Sequence, residues 1–172
     1  LWRRDSWWIP GKERCASEVF ADLVEEMERR FALVRASNSD NLADHVVRTG
    51  RPLARILCVC DEYFALISQQ RAEREHIEEA VGLIGAKGRS AGVHLILATQ
   101  QPSRKTITGA IQANLPCRVA LYLQNHIEST MILGQAGAER LTGAGDLLYR
   151  DFGNPVRLQS PYLPAADRSR LL

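Results

Sequence analysis

Two runs of consecutive apolar residues constrain the fold of this chain more than any other feature of its sequence. Residues 54–60 read ARILCVC and residues 93–99 read VHLILAT, with little of the alternation that marks a strand with one solvated face. Between them, residues 73–87 carry apolar side chains at helical spacing. A strand, a helix and a strand in this order predict an α/β domain with a parallel sheet whose strands are buried on both faces.

Further elements extend this domain. The apolar spacing of residues 15–36 predicts an amphipathic helix with Arg29 and Arg30 on its solvated side. A third buried strand is predicted over residues 117–123, and residues 146–159 read as a β-hairpin. The expected architecture is therefore a mostly parallel central sheet flanked by helices, with a C-terminal β-hairpin.

Composition excludes several classes of protein. The chain has 172 residues, of which 45% are hydrophobic and 24% charged, as expected for a domain with a proper core. The net charge of +2 means that any contact with nucleic acid must come from a local cluster. No apolar run approaches the roughly 20 residues that span a bilayer, so we expect no membrane contact by this chain and a cytoplasmic location. The 4 cysteines form no metal-binding pattern and are predicted to act as small buried hydrophobes.

Two adjacent carboxylates, Asp61 and Glu62, follow the first apolar run. Ligands of parallel sheets bind at the carboxyl ends of the strands. In P-loop ATPases a buried strand ends in such a pair, and there the Asp holds Mg²⁺ and the Glu polarises the attacking water. A solvated acidic turn would show the same residues, and the pair alone does not separate the two interpretations.

Polar residues also end the second strand and fill the loop after it. Thr99 and Gln100 would lie beside the carboxylates, where they could sense a γ-phosphate or the lytic water, although strand-end capping explains them as well. The following loop has two cations and no acid, which suits contact with a phosphate backbone without base readout but is also common in solvated loops. The candidate DNA-contacting residues of this loop are Ser103, Arg104, Lys105 and Thr106.

Six phrases occur in a fixed order along the chain. They are EMERRF (26–31), ILCVCDE (56–62), GRSAGVHLILATQQP (88–102), ITGAIQANLPCRVALYL (107–123), ILGQAGAERLTGAGDLLY (132–149) and PVRLQ (155–159). In this order and spacing they resemble the FtsK/SpoIIIE family of DNA-translocating motor ATPases. The resemblance covers residues 15–159 and implies a RecA-like P-loop NTPase core that uses ATP and Mg²⁺. It also implies a homo-oligomeric, hexameric ring around double-stranded DNA.

The resemblance assigns a role to each matching residue. Asp61 corresponds to the Mg²⁺-site residue and Glu62 to the catalytic base, with Thr99 and Gln100 as a sensor-like pair at the nucleotide. Arg89 occupies the place from which an arginine reaches the nucleotide of the neighbouring subunit. Two further assignments are Arg118 as a second arginine candidate and the loop of residues 101–108 as a pore-facing segment that grips DNA.

The 172 residues contain no G-x-x-x-x-G-K-[ST] phosphate loop. In the family that this chain resembles, the loop lies upstream of the EMERR helix, so we expect the chain to start after it, without the Walker A portion. The amide cradle and lysine of that loop hold the β- and γ-phosphates. We therefore expect an ATPase in the full-length protein but no turnover by these residues alone. The expected divisions are an irregular segment (1–14), a partial motor domain (15–160) and a tail (161–172).

Three functions fit these features. The first is the motor of a double-stranded DNA translocase used in chromosome segregation or DNA transfer. The second is a secretion or conjugative-coupling ATPase of the same superfamily, which would move polypeptide or nucleoprotein. The third is a catalytically inactive assembly or DNA-docking module. The cations of residues 101–106 favour nucleic acid as cargo, whereas the missing phosphate loop favours the third function.

Overall fold

The computed structural model describes residues 15–167. Its elements are α1 (Ala16–Ala36), α2 (Leu42–Thr49), β1 (Ile56–Cys60), α3 (Tyr63–Gln69), α4 (Arg74–Ala91), β2 (Val93–Leu97), α5 (Gly109–Asn114), β3 (Arg118–Ala120), α6 (His126–Leu133), a 3₁₀ turn (Ala138–Arg140), β4 (Asp146–Arg150) and β5 (Val156–Gln159). The chain divides into two compact units, unit 1 (Leu1–Gln101) and unit 2 (Pro102–Leu172). The segment expected to be irregular (1–14) and the end of the expected tail (168–172) lie outside the described residues.

Unit 1 contains the predicted strand–helix–strand motif. Strands β1 and β2 pair in parallel, with Ile56 opposite Val93. Helix α4 packs against β2, and α1 packs against α4. The buried apolar side chains that α1 and α4 contribute are Phe20, Leu23, Met27, Val34, Ile77, Val81 and Ile84. Their spacing of three or four residues is the one that predicts these helices from the sequence.

The prediction that both strands are buried on both faces is wrong for one face. Leu57, Val59 and Ile96 are 51%, 60% and 48% exposed, whereas Val93 is 1% exposed. Within residues 15–167 the packing of α4 and α1 covers only the face that carries Val93. An unbroken apolar run indicates that both faces of a strand favour burial, but it does not show which segment covers each face.

The predicted exposure of Arg30 is also wrong, because this residue is 4% exposed. Its Nη1 donates to the carbonyls of Ala54 at 2.8 Å and Ala91 at 3.2 Å. Its Nε donates to Glu26 Oε1 at 2.8 Å. Because Ala54 precedes β1 and Ala91 precedes β2, this one guanidinium ties α1 to the amino ends of both strands.

Unit 2 contains an antiparallel sheet in the order β3–β4–β5. The predicted hairpin is confirmed, since Leu147 pairs with Leu158 across β4 and β5. The third predicted strand is shorter than expected, and it pairs antiparallel with β4 rather than extending a parallel sheet. Its apolar run predicts a strand but carries no information about its partner. Parallel pairing in the described residues is therefore confined to β1 and β2.

A small core stabilises unit 2. Its buried residues are Ala120, Leu133, Ala138 and Leu141. Helix α6 packs against β3 and the 3₁₀ turn. Within the described part of the chain, no helix combines the length and the apolar character needed to cross a membrane.

Candidate functional site

The carboxyl ends of β1 and β2 lie side by side in unit 1. The backbone ladder continues past the last paired residues, because Ala98 N donates to Cys60 O at 2.9 Å and Tyr63 N donates to Ala98 O at 2.8 Å. The turn at residues 61–62 is thereby fixed beside the loop at residues 99–101. This is the edge of a parallel pair at which ligands bind.

The carboxylate of Glu62 contacts both polar residues that end the second strand. Thr99 Oγ1 donates to Glu62 Oε1 at 3.1 Å. Gln100 N lies 3.4 Å from Oε1 and 3.3 Å from Oε2 in a shared hydrogen bond. The sequence-based expectation that these residues meet at one sheet edge is confirmed, while the roles assigned to them stay predictions.

The backbone of Glu62 adopts a conformation that the sequence does not reveal. Its φ of 51° and ψ of 56° lie in the left-handed region, which non-glycine residues rarely occupy. Glu62 N donates to Asp61 Oδ1 at 3.0 Å, and α3 begins at the next residue, Tyr63, which is 2% exposed. Strained residues of this kind cluster at functional sites. The deeply buried tyrosine anchors the turn that presents the two carboxylates.

Asp61 suits an ion that arrives with a nucleotide. It is exposed, and its Oδ1 accepts a hydrogen bond from the backbone N–H of Glu62. Protein sites bind Mg²⁺ through one or two carboxylates together with phosphates and water. No group of three or more His, Cys, Asp or Glu side chains gathers as a metal cage within residues 15–167. As an exposed carboxylate at a ligand-binding edge, Asp61 is the type of residue that could hold such an ion.

The groups beneath the site are neutral at physiological pH. Burial raises the pKa of the Cys60 thiol to about 11, with Cys58 and Asp61 adding to the effect. Burial also raises the pKa of the Tyr63 phenol above its usual range. A raised pKa lowers the fraction of reactive thiolate at Cys60. The expectation that the 4 cysteines are buried hydrophobes holds only in part, because Cys15, Cys58 and Cys60 are half-buried and Cys117 is exposed.

Arg89 lies far from the carboxylates of its own chain. It is exposed in the last turn of α4, just before β2 begins. Glu62 follows β1, so the 5 residues of the paired strands separate the two ends of the sheet, a length of about 16 Å. The structure does not bring these residues together within one chain, and the role of Arg89 at the nucleotide of a neighbouring subunit stays a prediction.

Arg118 is held by backbone carbonyls of unit 2. Its Nη2 donates to Gln112 O at 2.6 Å and its Nη1 to Ile132 O at 3.1 Å. Burial lowers the pKa of this guanidinium, and Arg150 adds to the shift. The geometry gives Arg118 a structural task, which is to join β3 to the ends of α5 and α6. Its predicted nucleotide contact stays a prediction.

The predicted DNA-contacting residues divide into two groups. Ser103 Oγ and Thr106 Oγ1 lie 2.8 Å apart, and Thr106 N donates to Ser103 O at 2.9 Å. Thr106 is fully buried, whereas Arg104 and Lys105 are exposed between the two hydroxyl residues. The hydroxyls hold a tight turn and the cations face outward. The spacing of the Ser and the Thr is a known turn signal and could have revealed this division from the sequence.

The chain is similar to curated proteins named as DNA translocases. It is 35% identical over 92% of its length to DNA translocase FtsK of Streptococcus agalactiae serotype V and covers 21% of that protein. It is 34% identical to DNA translocase SftA of Bacillus subtilis, of which it covers 17%. The chain therefore spans about a fifth of the length of these relatives. No family model matches it.

Solved structures agree with these relatives. The conjugation coupling protein TcpA of pCW3, in a monomer form with ATPγS, is 28% identical with a TM-score of 0.83, over 91% of this chain and 46% of that chain. The cytoplasmic domain of the type VII secretion ATPase EccC of Thermomonospora curvata is 28% identical with a TM-score of 0.72, over 86% of this chain and 18% of that chain. These likenesses confirm the RecA-like P-loop ATPase fold. Taken with the sequence matches, they confirm that the chain is similar to the FtsK/SpoIIIE DNA translocases.

Proposed function

We propose that this chain is the part of a DNA-translocating motor ATPase that carries the acidic side of its nucleotide site. The observation that carries the proposal is the oriented carboxylate of Glu62, which Thr99 and Gln100 hold beside the exposed Asp61. Relatives named DNA translocase and a neighbour solved with ATPγS support this interpretation.

Each residue at the sheet edge has a definite task in ATP hydrolysis. Glu62 takes a proton from the attacking water, and the exposed side chain of Gln100 is placed to orient that water. Asp61 would hold Mg²⁺, which would supply neutralisation of charge on the phosphates. Cofactors of the motor are accordingly ATP and Mg²⁺. The phosphate loop that completes such a site is not among the 172 residues.

Double-stranded DNA is the proposed cargo. Arg104 and Lys105 project from a turn that Ser103 and Thr106 lock internally, so the two charges are presented outward on a fixed support. Contacts of cations with phosphates carry no sequence information and weaken steeply with salt. The motor would work as a homo-oligomeric ring of six subunits, in the cytoplasm, with Arg89 completing the site of the neighbouring subunit.

The test is ATP hydrolysis by the full-length protein that contains this chain, with and without long duplex DNA. We expect DNA to stimulate turnover, and we expect Glu62→Gln to lower the stimulated rate at least about 100-fold because it removes the base. Arg71→Gln, a change at an exposed loop residue of unit 1, serves as a control that retains the stimulation.

A secretion or coupling ATPase is the second candidate, favoured by the likeness to the secretion ATPase EccC at 28% identity. Turnover that depends on Glu62 but does not respond to DNA would contradict the translocase and support this candidate. A protein without any turnover under either condition would contradict both motors and leave the assembly or DNA-docking module.

A further inference from the structure

We propose that Thr99 is the positioning residue of Glu62: its hydroxyl anchors one carboxylate oxygen so that the other faces the attacking water. The proposal rests on the proposed function, because it takes Glu62 to act on water. It differs from the sensor role that the resemblance implies, in which Thr99 contacts the nucleotide. Here Thr99 acts only through Glu62.

The two oxygens of Glu62 are unequally used. Oε1 accepts from Thr99 Oγ1 at 3.1 Å and shares the N–H of Gln100 at 3.4 Å. Oε2 receives only the other half of that shared bond, at 3.3 Å. An ionised carboxylate oxygen accepts about two hydrogen bonds. Oε2 therefore retains an acceptor position with which to orient and deprotonate a water molecule.

The proton of the Thr99 hydroxyl is committed to Glu62. Gln101 N donates to Thr99 Oγ1 at 3.1 Å, so the hydroxyl accepts on one side. A hydroxyl has a single proton to donate, and in Thr99 it is directed to Oε1 of the carboxylate. A donor that is engaged in this way has no second proton for a phosphate oxygen. A chain of hydrogen bonds therefore runs from Gln101 through Thr99 to Glu62.

The backbone fixes the other end of the Glu62 side chain. Glu62 N is bound to Asp61 Oδ1, and the next amide, Tyr63 N, is bound to Ala98 O. These bonds hold the left-handed backbone of Glu62, and Thr99 holds the tip of its side chain. Catalytic geometry depends on such support, because a displacement of about 1 Å can cost about 100-fold in rate.

The test replaces the hydroxyl in the full-length protein. Thr99→Val keeps the branched shape and removes the donor, and Thr99→Ala removes it with a smaller side chain. We expect both variants to lower kcat about 10- to 100-fold while the KM for ATP and the affinity for ATPγS stay unchanged. Thr99→Ser, which keeps the donor, should recover most of the lost rate. Thr130→Val makes the same chemical change at an exposed site in α6 and should leave kcat unchanged.

A double variant tests whether Thr99 affects turnover only through Glu62. Because Thr99 acts only on that carboxylate, adding Thr99→Val to Glu62→Ala should not lower the residual rate further. A raised KM or weaker ATPγS binding in Thr99→Val would overturn the proposal in favour of a direct contact with nucleotide. An unchanged kcat would overturn it as well.

The two proposals fail in different ways. If Glu62→Gln does not lower turnover, the proposed function fails and takes the positioning role with it. If Glu62→Gln abolishes turnover while Thr99→Val and Thr99→Ala turn over like the parent protein, only the positioning role fails. Urea-unfolding midpoints equal to that of the parent protein show that the variants are folded.

Discussion

Arg29 and Arg30 are neighbours in the sequence and share one carboxylate, yet their environments differ. The Arg29 side chain is 52% exposed and lies 2.6 Å from Glu26 Oε2. The Arg30 side chain is 5% exposed and binds two backbone carbonyls in addition to Glu26. A surface pair of the first kind contributes little to stability, whereas an uncompensated buried charge of the second kind is costly. Glu26 is therefore the counter-ion that allows Arg30 to be buried.

The pKa of Glu26 allows its role as the counter-ion of Arg30 to be tested. The hydrogen bond from Arg29, opposed by burial and assisted by Arg30, lowers the pKa of the Glu26 carboxyl from 4.5 to about 2. A lowered pKa in the folded protein gives stability that is fully present above the unfolded value. That stability is lost as the pH falls toward the folded value.

Replacing Glu26 with Gln should thus destabilise the chain in a pH-dependent way. At pH 7 we expect Glu26→Gln to lower the free energy of unfolding by about 2 kcal/mol. The difference between the two proteins should shrink as the pH falls from 4.5 through about 2, and it should vanish only below the folded pKa, where the carboxyl is protonated in both states. Urea unfolding across this range measures it, with Glu28→Gln, an exposed position on the same helix, as the control. A difference that stays constant down to the lowest pH would contradict the assignment.

The sequence predicts some properties of individual residues and misses others. The meeting of Glu62 with Thr99 follows from strand pattern alone, because parallel strands bring their carboxyl ends together. The left-handed backbone of Glu62 does not, since loop dihedral angles leave no periodic signal. The helical period places Arg30 on the buried face, three residues after Met27 and four before Val34. Its charge leads to the prediction that it is exposed, because the sequence does not show the carbonyls and the carboxylate that compensate it.

Helices and strands can be predicted from the sequence where burial of one face gives their apolar residues a regular spacing. Helices α1 and α4 show apolar residues at every third or fourth position, and both match the predicted ranges closely. The sequence does not predict helix α3, because its 7 residues are too few to establish a period. Nor does it predict the antiparallel partner of β3, since strand pairing depends on contacts between residues distant in sequence.

The turn between Ser103 and Thr106 yields a prediction at the scale of one structural element. Its cations can be neutralised without disturbing the bonds that form it, because those bonds join the hydroxyls and backbone of Ser103 and Thr106. We expect the double variant Arg104→Gln/Lys105→Gln to weaken duplex binding uniformly across sequences. The plot of log affinity against log salt concentration should become shallower by about 0.9 for each phosphate that the variant no longer neutralises.

Binding of duplexes of different sequence at several salt concentrations measures this effect. The control is Arg71→Gln, which removes a charge at an exposed loop residue of unit 1 and should leave the salt slope unchanged. An unchanged slope in the double variant would show that these cations do not contact phosphate.

At the scale of the whole molecule, the net charge says little about what the chain binds, whereas the positions of individual charged residues say more. With 22 cationic and 20 acidic side chains, the chain as a whole has no strong attraction for DNA. Unit 1 instead separates its functional charges, with Asp61 and Glu62 beyond the carboxyl ends of the strands and Arg89 near their amino ends. In the ring that we propose, two copies of the chain would meet so that the arginine of one faces the carboxylates of the other.

Mixing two inactive variants of the full-length protein tests that arrangement. Glu62→Gln lacks the base and should lose at least about 100-fold in turnover. Arg89→Ala lacks the arginine and should lose about 1,000-fold or more. In an equimolar mixture, a contact between the two variants can join an intact Glu62 to an intact Arg89. If sites work independently, about a quarter of the contacts are complete and about that share of the activity returns. Mixing Arg89→Ala with the double variant Glu62→Gln/Arg89→Ala supplies no intact arginine and should restore nothing. Equal activity in the two mixtures would show that Arg89 does not act on a neighbouring subunit.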